Sequence, residues 1–284
     1  MSLPPIELAG VSETRVEDLL ISIYRSNEEL GTAAAEEAAD IIGRAIHEQG
    51  RANIIVATAN SQITFLTALR RMPGIDWGKV TIFHMDEYVG IDPEHPARFS
   101  QFLHQHLLAY VHPRAFYPVP GQAQDLAEAC QEYEALLRAH PADLCALGIG
   151  ENGHLAFNDP PFADFADPVW VKVVELAEVS RRQQVGEGHF ASLAKVPTHA
   201  MTLTIPALLT AKRVLAIVPE ARKAAAVTRA LRGPITPDCP ASILRRTPQA
   251  HLFLDKDSAS GAFPATIQDG RIWSVSTPLA GERP

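Results

Sequence analysis

The strongest constraint on the fold is an alternation of short, β-branched apolar runs with longer segments of helical period. NIIVATA (53–59), KVTIFHMDEY (79–88), DLCALGIG (143–150), RVLAIVP (213–219), QAHLFLD (249–255) and RIWSVST (271–277) read as strands. Between them, AAAEEAADIIGRAIHEQG (33–50), NSQITFLTALRRM (60–72), ARFSQFLHQHLLAYV (97–111), DLAEACQEYEALLRAH (125–140) and EARKAAAVTRALRG (220–233) place apolar residues at helical spacing. Strands separated by helices need crossover connections, and crossovers make neighbouring strands parallel. The expected fold is therefore α/β: a three-layer, doubly wound, mostly parallel sheet with helices on both faces. No repeat or linker divides the chain, so 1–284 reads as a single domain. The least regular stretch, 160–198, reads either as a flap over a site or as a long connection.

Composition removes several function classes. The 284 residues are 46% apolar and 20% charged, an ordinary globular balance. A net charge of −8 suits neither general nucleic-acid binding nor an anionic membrane surface. No run of about 18 apolar residues is present, so no membrane span is expected. The start, MSLPPIELAGVSETRVEDLL, has no basic region before an apolar run and so does not read as a signal peptide. Cys130, Cys145 and Cys239 are scattered and odd in number, which points to a reducing, cytoplasmic compartment. No His/Cys/acid spacing suggests a metal site, and no cofactor is expected.

In open α/β sheets, ligands sit beyond the carboxyl ends of the strands. Three strand ends here carry chemistry. The first is Thr58-Ala59-Asn60-Ser61, where hydroxyls and free backbone amides meet at a helix start, a place that favours an anion and also an ordinary N-cap. The second is Asp86-Glu87. Adjacent side chains on an extended segment point to opposite sides, so one acid can face a pocket while the other faces a loop. A carboxylate in a partly dry pocket has a raised pKa and can act as a general base; two solvated turn acids are the plainer reading. Lys223 near the start of the 220–233 helix opposes the helix dipole, which an anionic ligand would offset.

The third strand end is GIGENGHLAFNDPP (148–161). Its opening G-x-G-x-x-G has dinucleotide-binding spacing, but that motif needs a helix after its third glycine. Pro160 and Pro161 follow too soon for one. The alternative is a close-approach turn that presents His154 and Asp159. Imidazole titrates near neutrality, and a carboxylate can orient it. A hydrogen-bonded loop histidine and a turn-forming aspartate would give the same letters.

Together these segments resemble the glucosamine-6-phosphate deaminases and their sugar-phosphate isomerase relatives. FHMDEYVGI (83–91) is similar to that family's M-D-E-Y-x-G, and GIGENGHLAFNDP (148–160) to its G-x-G-x-x-G-H-x-A-F-N-E-P. EARKAAAV matches the place of its phosphate-binding lysine, and VPTHAMTLTIPALLTAKRV its V-P-x-x-A-x-T region. The likeness runs through roughly residues 33–260. It implies a phosphorylated sugar as substrate and an enzyme needing no cofactor. It implies Asp86 as the base between C1 and C2, His154 as the ring-opening residue, and Asp159 as its relay partner. It implies phosphate contacts from Lys223 and the 58–61 turn. Asn152 beside the histidine, and Glu87 and Gly153 near the substrate, complete the candidate site.

The departures bear on substrate. The family's T-G-G-T-P is here Thr58-Ala59-Asn60-Ser61-Gln62, without either glycine. Asn152 stands where an aspartate is usual and can hydrogen-bond the ring without carrying charge. A phosphate-binding arginine has no clear match, with Arg181 or Arg182 as substitutes. The expected function is a deaminating isomerase, releasing ammonia and a ketose phosphate from an amino-sugar phosphate; the alternatives are a non-deaminating isomerase or lactonase, and a sugar-phosphate sensor without catalysis. Ala156-Phe157-Asn158-Asp159, where lactonases carry small and hydroxyl residues, disfavours the lactonase. A homo-oligomer is left open.

Overall fold

A computed structural model describes residues 12–160 and 162–263. In chain order these form β1 (Ser12–Val16), β2 (Leu19–Tyr24), α1 (Asn27–Gln49), β3 (Ala52–Val56), α2 (Ile63–Leu69), β4 (Val80–His84), β5 (Asp86–Tyr88), α3 (Phe99–Leu103), β6 (Ala115–Tyr117) and α4 (Leu126–Ala139). There follow β7 (Leu144–Leu147), β8 (Val171–Glu175), α5 (Glu178–Gly186), β9 (His199–Leu203), α6 (Ile205–Leu209), β10 (Arg213–Val218), α7 (Ala224–Arg232), β11 (Ala250–Asp255) and α8 (Lys256–Ala259). The strand expected at 271–277 lies outside the described residues.

The main sheet has eight strands in the order β1-β2-β11-β10-β7-β3-β4-β6, parallel throughout except for the β1–β2 hairpin. Its central strands are buried on both faces, as a parallel sheet between helical layers must be. One layer is α1 and α2. Helix α1 starts at Ser26, whose side chain accepts from the Glu29 amide, and sets Leu30, Ala34, Ala38, Ile42 and Ala45 against the sheet. Each fully buried Leu or Ile there contributes about 1.5–3 kcal/mol. The opposite face is covered by α4, α6 and α7 through residues such as Tyr133, Leu208, Val227 and Leu231.

The strand order reverses at β3. The chain steps from β3 to β4 on one side, then returns to place β7 on the other. That reversal opens a crevice beyond the carboxyl ends of β3, β4, β7 and β10.

Two expectations need correction. KVTIFHMDEY is not one strand. It ends at His84, bends at Met85, and Asp86–Tyr88 joins a second, antiparallel sheet of order β5-β9-β8. The Met85 carbonyl accepts from the Leu203 amide at 2.8 Å, which draws the chain out of the main sheet. Within 160–198, β8 and α5 are regular, and β8 pairs along its whole length with β9. An aromatic cluster of Tyr88, Phe99, Phe157 and Phe190 packs among these segments.

Candidate active site

A cleft opens at the reversal point, lined by residues of four strand ends and of α5. From β3 come Thr58, Ala59, Ser61 and Gln62. The β4–β5 corner supplies Met85 and Asp86, β7 leads to Gly148, Gly150 and His154, and the turn after β10 supplies Lys223. Gln183 and Gln184 of α5 close one side.

Asp86 is 7% exposed and has no hydrogen-bond donor on its side chain among the described residues. Burial, and then the neighbouring Glu87 carboxylate, push its pKa well above the ordinary aspartate value. Glu87, one residue on, points the other way. Its oxygens accept from the amides of Tyr88, Phe99 and Ser100 at 3.1 Å each and from the Ser100 hydroxyl at 3.0 Å. It therefore ties down the start of α3 and is not among the cleft-lining residues, unlike the substrate contact expected from sequence. The alternation of a strand explains the division.

His154 is held from behind. Its Nδ1 lies 2.9 Å from Asp159 Oδ1 and 3.3 Å from the Ser180 hydroxyl. The same Asp159 oxygen accepts from Ser180 at 2.6 Å and from the Asn152 amide at 2.7 Å. Burial alone would raise the Asp159 pKa; the bonds from His154, Ser180 and Asn152 outweigh it and hold the carboxyl below its ordinary value. Asn152 also accepts from the His154 backbone amide at 3.0 Å, so it braces both partners without carrying charge. With Nδ1 committed to the carboxylate, the neutral tautomer leaves Nε2 as a proton acceptor. The ring lies flat on Gly150, where a Cβ would come within 2.2 Å of Cε1.

Lys223 is 4% exposed, and its ammonium makes no ion pair or hydrogen bond among the described residues. Burial, and then the adjacent Arg222, lower its pKa. Arg222 is engaged elsewhere, with Glu220 at 2.5 Å and Glu187 at 2.6 Å. Among the described residues, Glu220 is one of three non-glycine residues with positive φ, at 82°, and a second is Ala156 in the cleft wall at 50°. Strained backbone of this kind concentrates at functional sites.

Several expected residues lie outside the lining. Asn60 begins a 3₁₀ turn whose side chain is not in the wall. Gly153, at φ 91°, backs onto Cys239. Arg181 donates to the Leu193 and Val196 carbonyls at 2.7 and 2.9 Å, and Arg182 pairs with Glu178 on the exposed side of α5. Neither arginine reaches the cleft, because α5 turns Gln183 and Gln184 inward instead. The missing glycines at 59 and 60 prove unnecessary for the backbone: Ala59 is extended, at φ −177°. Sequence reasoning overlooked Ser180 and Gln62, since neither has a local signal until the fold brings it to its partner.

A buried carboxylate free to take a proton, an imidazole oriented by a second carboxylate, and an unpaired lysine in one crevice define a class. It is that of acid–base enzymes acting on small anionic molecules. The chain belongs to the glucosamine-6-phosphate isomerase/6-phosphogluconolactonase family, whose profile matches residues 25–253. It is 33% identical over 264 residues to a glucosamine-6-phosphate deaminase of Bacillus cereus, covering 93% of this chain and 97% of that protein. A deaminase of Bacillus cytotoxicus is 32% identical over 266 residues, at the same coverage. A solved monomeric glucosamine-6-phosphate deaminase superposes with a TM-score of 0.77 at 29% identity, over 85% of this chain and 99% of that one. A 6-phosphogluconolactonase from Trypanosoma brucei shares the fold, with a TM-score of 0.66 at 19% identity, over 88% and 99% of the two chains. No helix among the described residues is long and apolar enough to cross a membrane.

Proposed function

We propose that this chain is a glucosamine-6-phosphate deaminase, converting an amino-sugar phosphate and water to a ketose phosphate and ammonia. The observation that carries the reading is the contrast of Asp86 and His154 in one cleft: a carboxylate without donors and an imidazole held by another carboxylate. The phosphate lies toward Lys223 and the Ser61 hydroxyl. His154 Nε2 takes the proton of the sugar's O1 hydroxyl and delivers it to the ring oxygen, which opens the pyranose and frees the C1 aldehyde. Asp86 then removes the C2 proton to give an enolamine, and a proton returned at C1 gives the ketimine. Water adds at C2 and ammonia leaves. Positioned acids and bases contribute on the order of 10²- to 10⁴-fold each.

Three free, buried cysteines support a reducing, cytoplasmic setting. Residues 1–284 act as one catalytic unit, with the 160–198 segment contributing Gln183 and Gln184 to the cleft wall and Ser180 to the support of Asp159. The test is incubation of purified protein with a panel of hexosamine and hexose 6-phosphates, following ammonia and ketose separately. Ammonia in step with ketose supports the reading. Ketose without ammonia would replace it with a simple isomerase, and sugar-phosphate binding without product would replace it with a sensor.

A further inference from the structure

We propose that Gln62 is a positioning residue that makes Ser61 a one-way hydrogen-bond donor into the cleft, and so sets how tightly the site holds a phosphoryl group. This rests on the functional reading above and deepens it.

Gln62 is 1% exposed, yet it lines the cleft. Its Nε2 lies 3.1 Å from the Ile217 carbonyl at the end of β10 and 3.3 Å from the Ser61 hydroxyl. The carbonyl can only accept, which fixes the amide orientation: nitrogen toward Ile217, oxygen away. One Nε2 proton goes to that carbonyl and the other to Ser61 Oγ. The Ser61 oxygen is thereby an acceptor from Gln62 and cannot direct its own proton back along the same line. No other protein acceptor takes that proton among the described hydrogen bonds, and Ser61 faces the cleft. Its hydroxyl is left as a donor to whatever the cleft holds.

Two further observations fit. Gly148, the first glycine of the turn after β7, leaves the room: a Cβ there would meet Gln62 Nε2 at 3.1 Å. Gln62 Oε1 is buried without a partner, and Thr58 Oγ1 in the same wall is likewise unpartnered. Buried polar atoms in native proteins are nearly always satisfied, so orphans gathered in one cleft wall mark a place for a polar ligand. The ligand class is a tetrahedral oxyanion that accepts from Ser61 and Lys223.

The test uses the full chain and inorganic phosphate as probe, read as the phosphate-dependent rise in melting temperature, together with KM and kcat for glucosamine 6-phosphate. Gln62→Met removes the amide at similar volume, and Ser61→Ala removes the hydroxyl. Each weakens phosphate binding by on the order of tenfold, the loss of one charge-assisted hydrogen bond. The double variant is no weaker than either single one, because the two residues act through one proton. KM rises more than kcat falls. Gln62→Glu, which cannot donate to Ile217 or Ser61, loses at least as much and covers the case in which the methionine variant does not fold. The proposal is overturned if Gln62→Met binds phosphate like the wild type, if the two losses multiply in the double variant, or if phosphate does not shift the wild-type melt. Absence of product from every sugar phosphate would instead sink the deaminase reading and leave the phosphate series standing.

Discussion

Asp86 and Asp159 are both aspartates, both almost fully buried, and both within reach of one cleft, yet their surroundings are opposite. The corner between β4 and β5 gives Asp86 apolar neighbours, a like charge and no donor, and its pKa rises. The 148–160 turn gives Asp159 three donors on a single oxygen, and its pKa falls. Burial is common to the two and cannot account for the difference; the donors do. One site keeps a carboxylate that gains from taking a proton. The other keeps a permanent anion that holds an imidazole in place.

The largest test of that contrast is Asp86→Asn. Turnover should fall at least 10²- to 10⁴-fold in an ammonia-release assay, the range for a positioned base. The same variant should melt higher than wild type at neutral pH. The folded pKa of Asp86 lies above its unfolded value, so the folded state binds the proton more tightly and ionisation opposes folding. The stability penalty is absent below about pH 4 and grows as pH rises from there toward the folded pKa. An Asp86→Asn protein with wild-type melting across that window would dissolve the contrast.

Asp159→Asn should do the reverse. It removes a charge that three donors stabilise, so the protein should lose about 1–3 kcal/mol, and activity should fall by about tenfold or more as His154 loses its orientation. The sign is that of a depressed acid: the contribution is present above the ordinary carboxylate pKa and lost as pH falls through the folded value. Denaturant melts of wild type and variant should therefore converge in acid.

Glu187→Gln probes the rim. Burial raises this acid, but bonds from His189, Gln183 and Arg222 bring it down to about 2. Its contribution should be full above about pH 4.5, fade toward about pH 2, and appear as a lower melting temperature at neutral pH only. Least severe is Ser180→Ala, which deletes one of the three donors to Asp159. About 1 kcal/mol of stability and a severalfold drop in kcat are expected. A loss as great as that of Asp159→Asn would mean that Ser180, rather than the carboxylate, organises the turn.

The parallel strands were readable because each is a dense β-branched run, and a sheet covered on both faces leaves little other use for such runs. The antiparallel pieces were not. SETRV in β1 is mostly polar, VKVVE in β8 carries two charges, and β5 hides as the tail of β4. Their pairing is decided by partners as distant as Thr202 for Asp86. The same holds within the site. Asp86, His154, Asp159 and Lys223 announce themselves at strand ends, where unusual chemistry interrupts an apolar run. Ser180 sits in a polar helix with no local mark, and becomes informative only when the fold sets it 2.6 Å from a residue 21 positions earlier. Glu87 shows the converse: a conspicuous acid whose job is to hold a loop.

The flat seating of the His154 ring on Gly150 has a consequence for how this protein can diverge. A methyl group at position 150 would occupy the volume of the imidazole itself, at 2.2–2.4 Å from three of its atoms. In a library randomised at that codon and selected for growth on the substrate, only glycine should survive, while Asn152 two places on should accept a wider choice. Position 150 is thus an anchor in sequence space: mutational paths that keep the chemistry run around it, and paths through it begin by discarding the histidine.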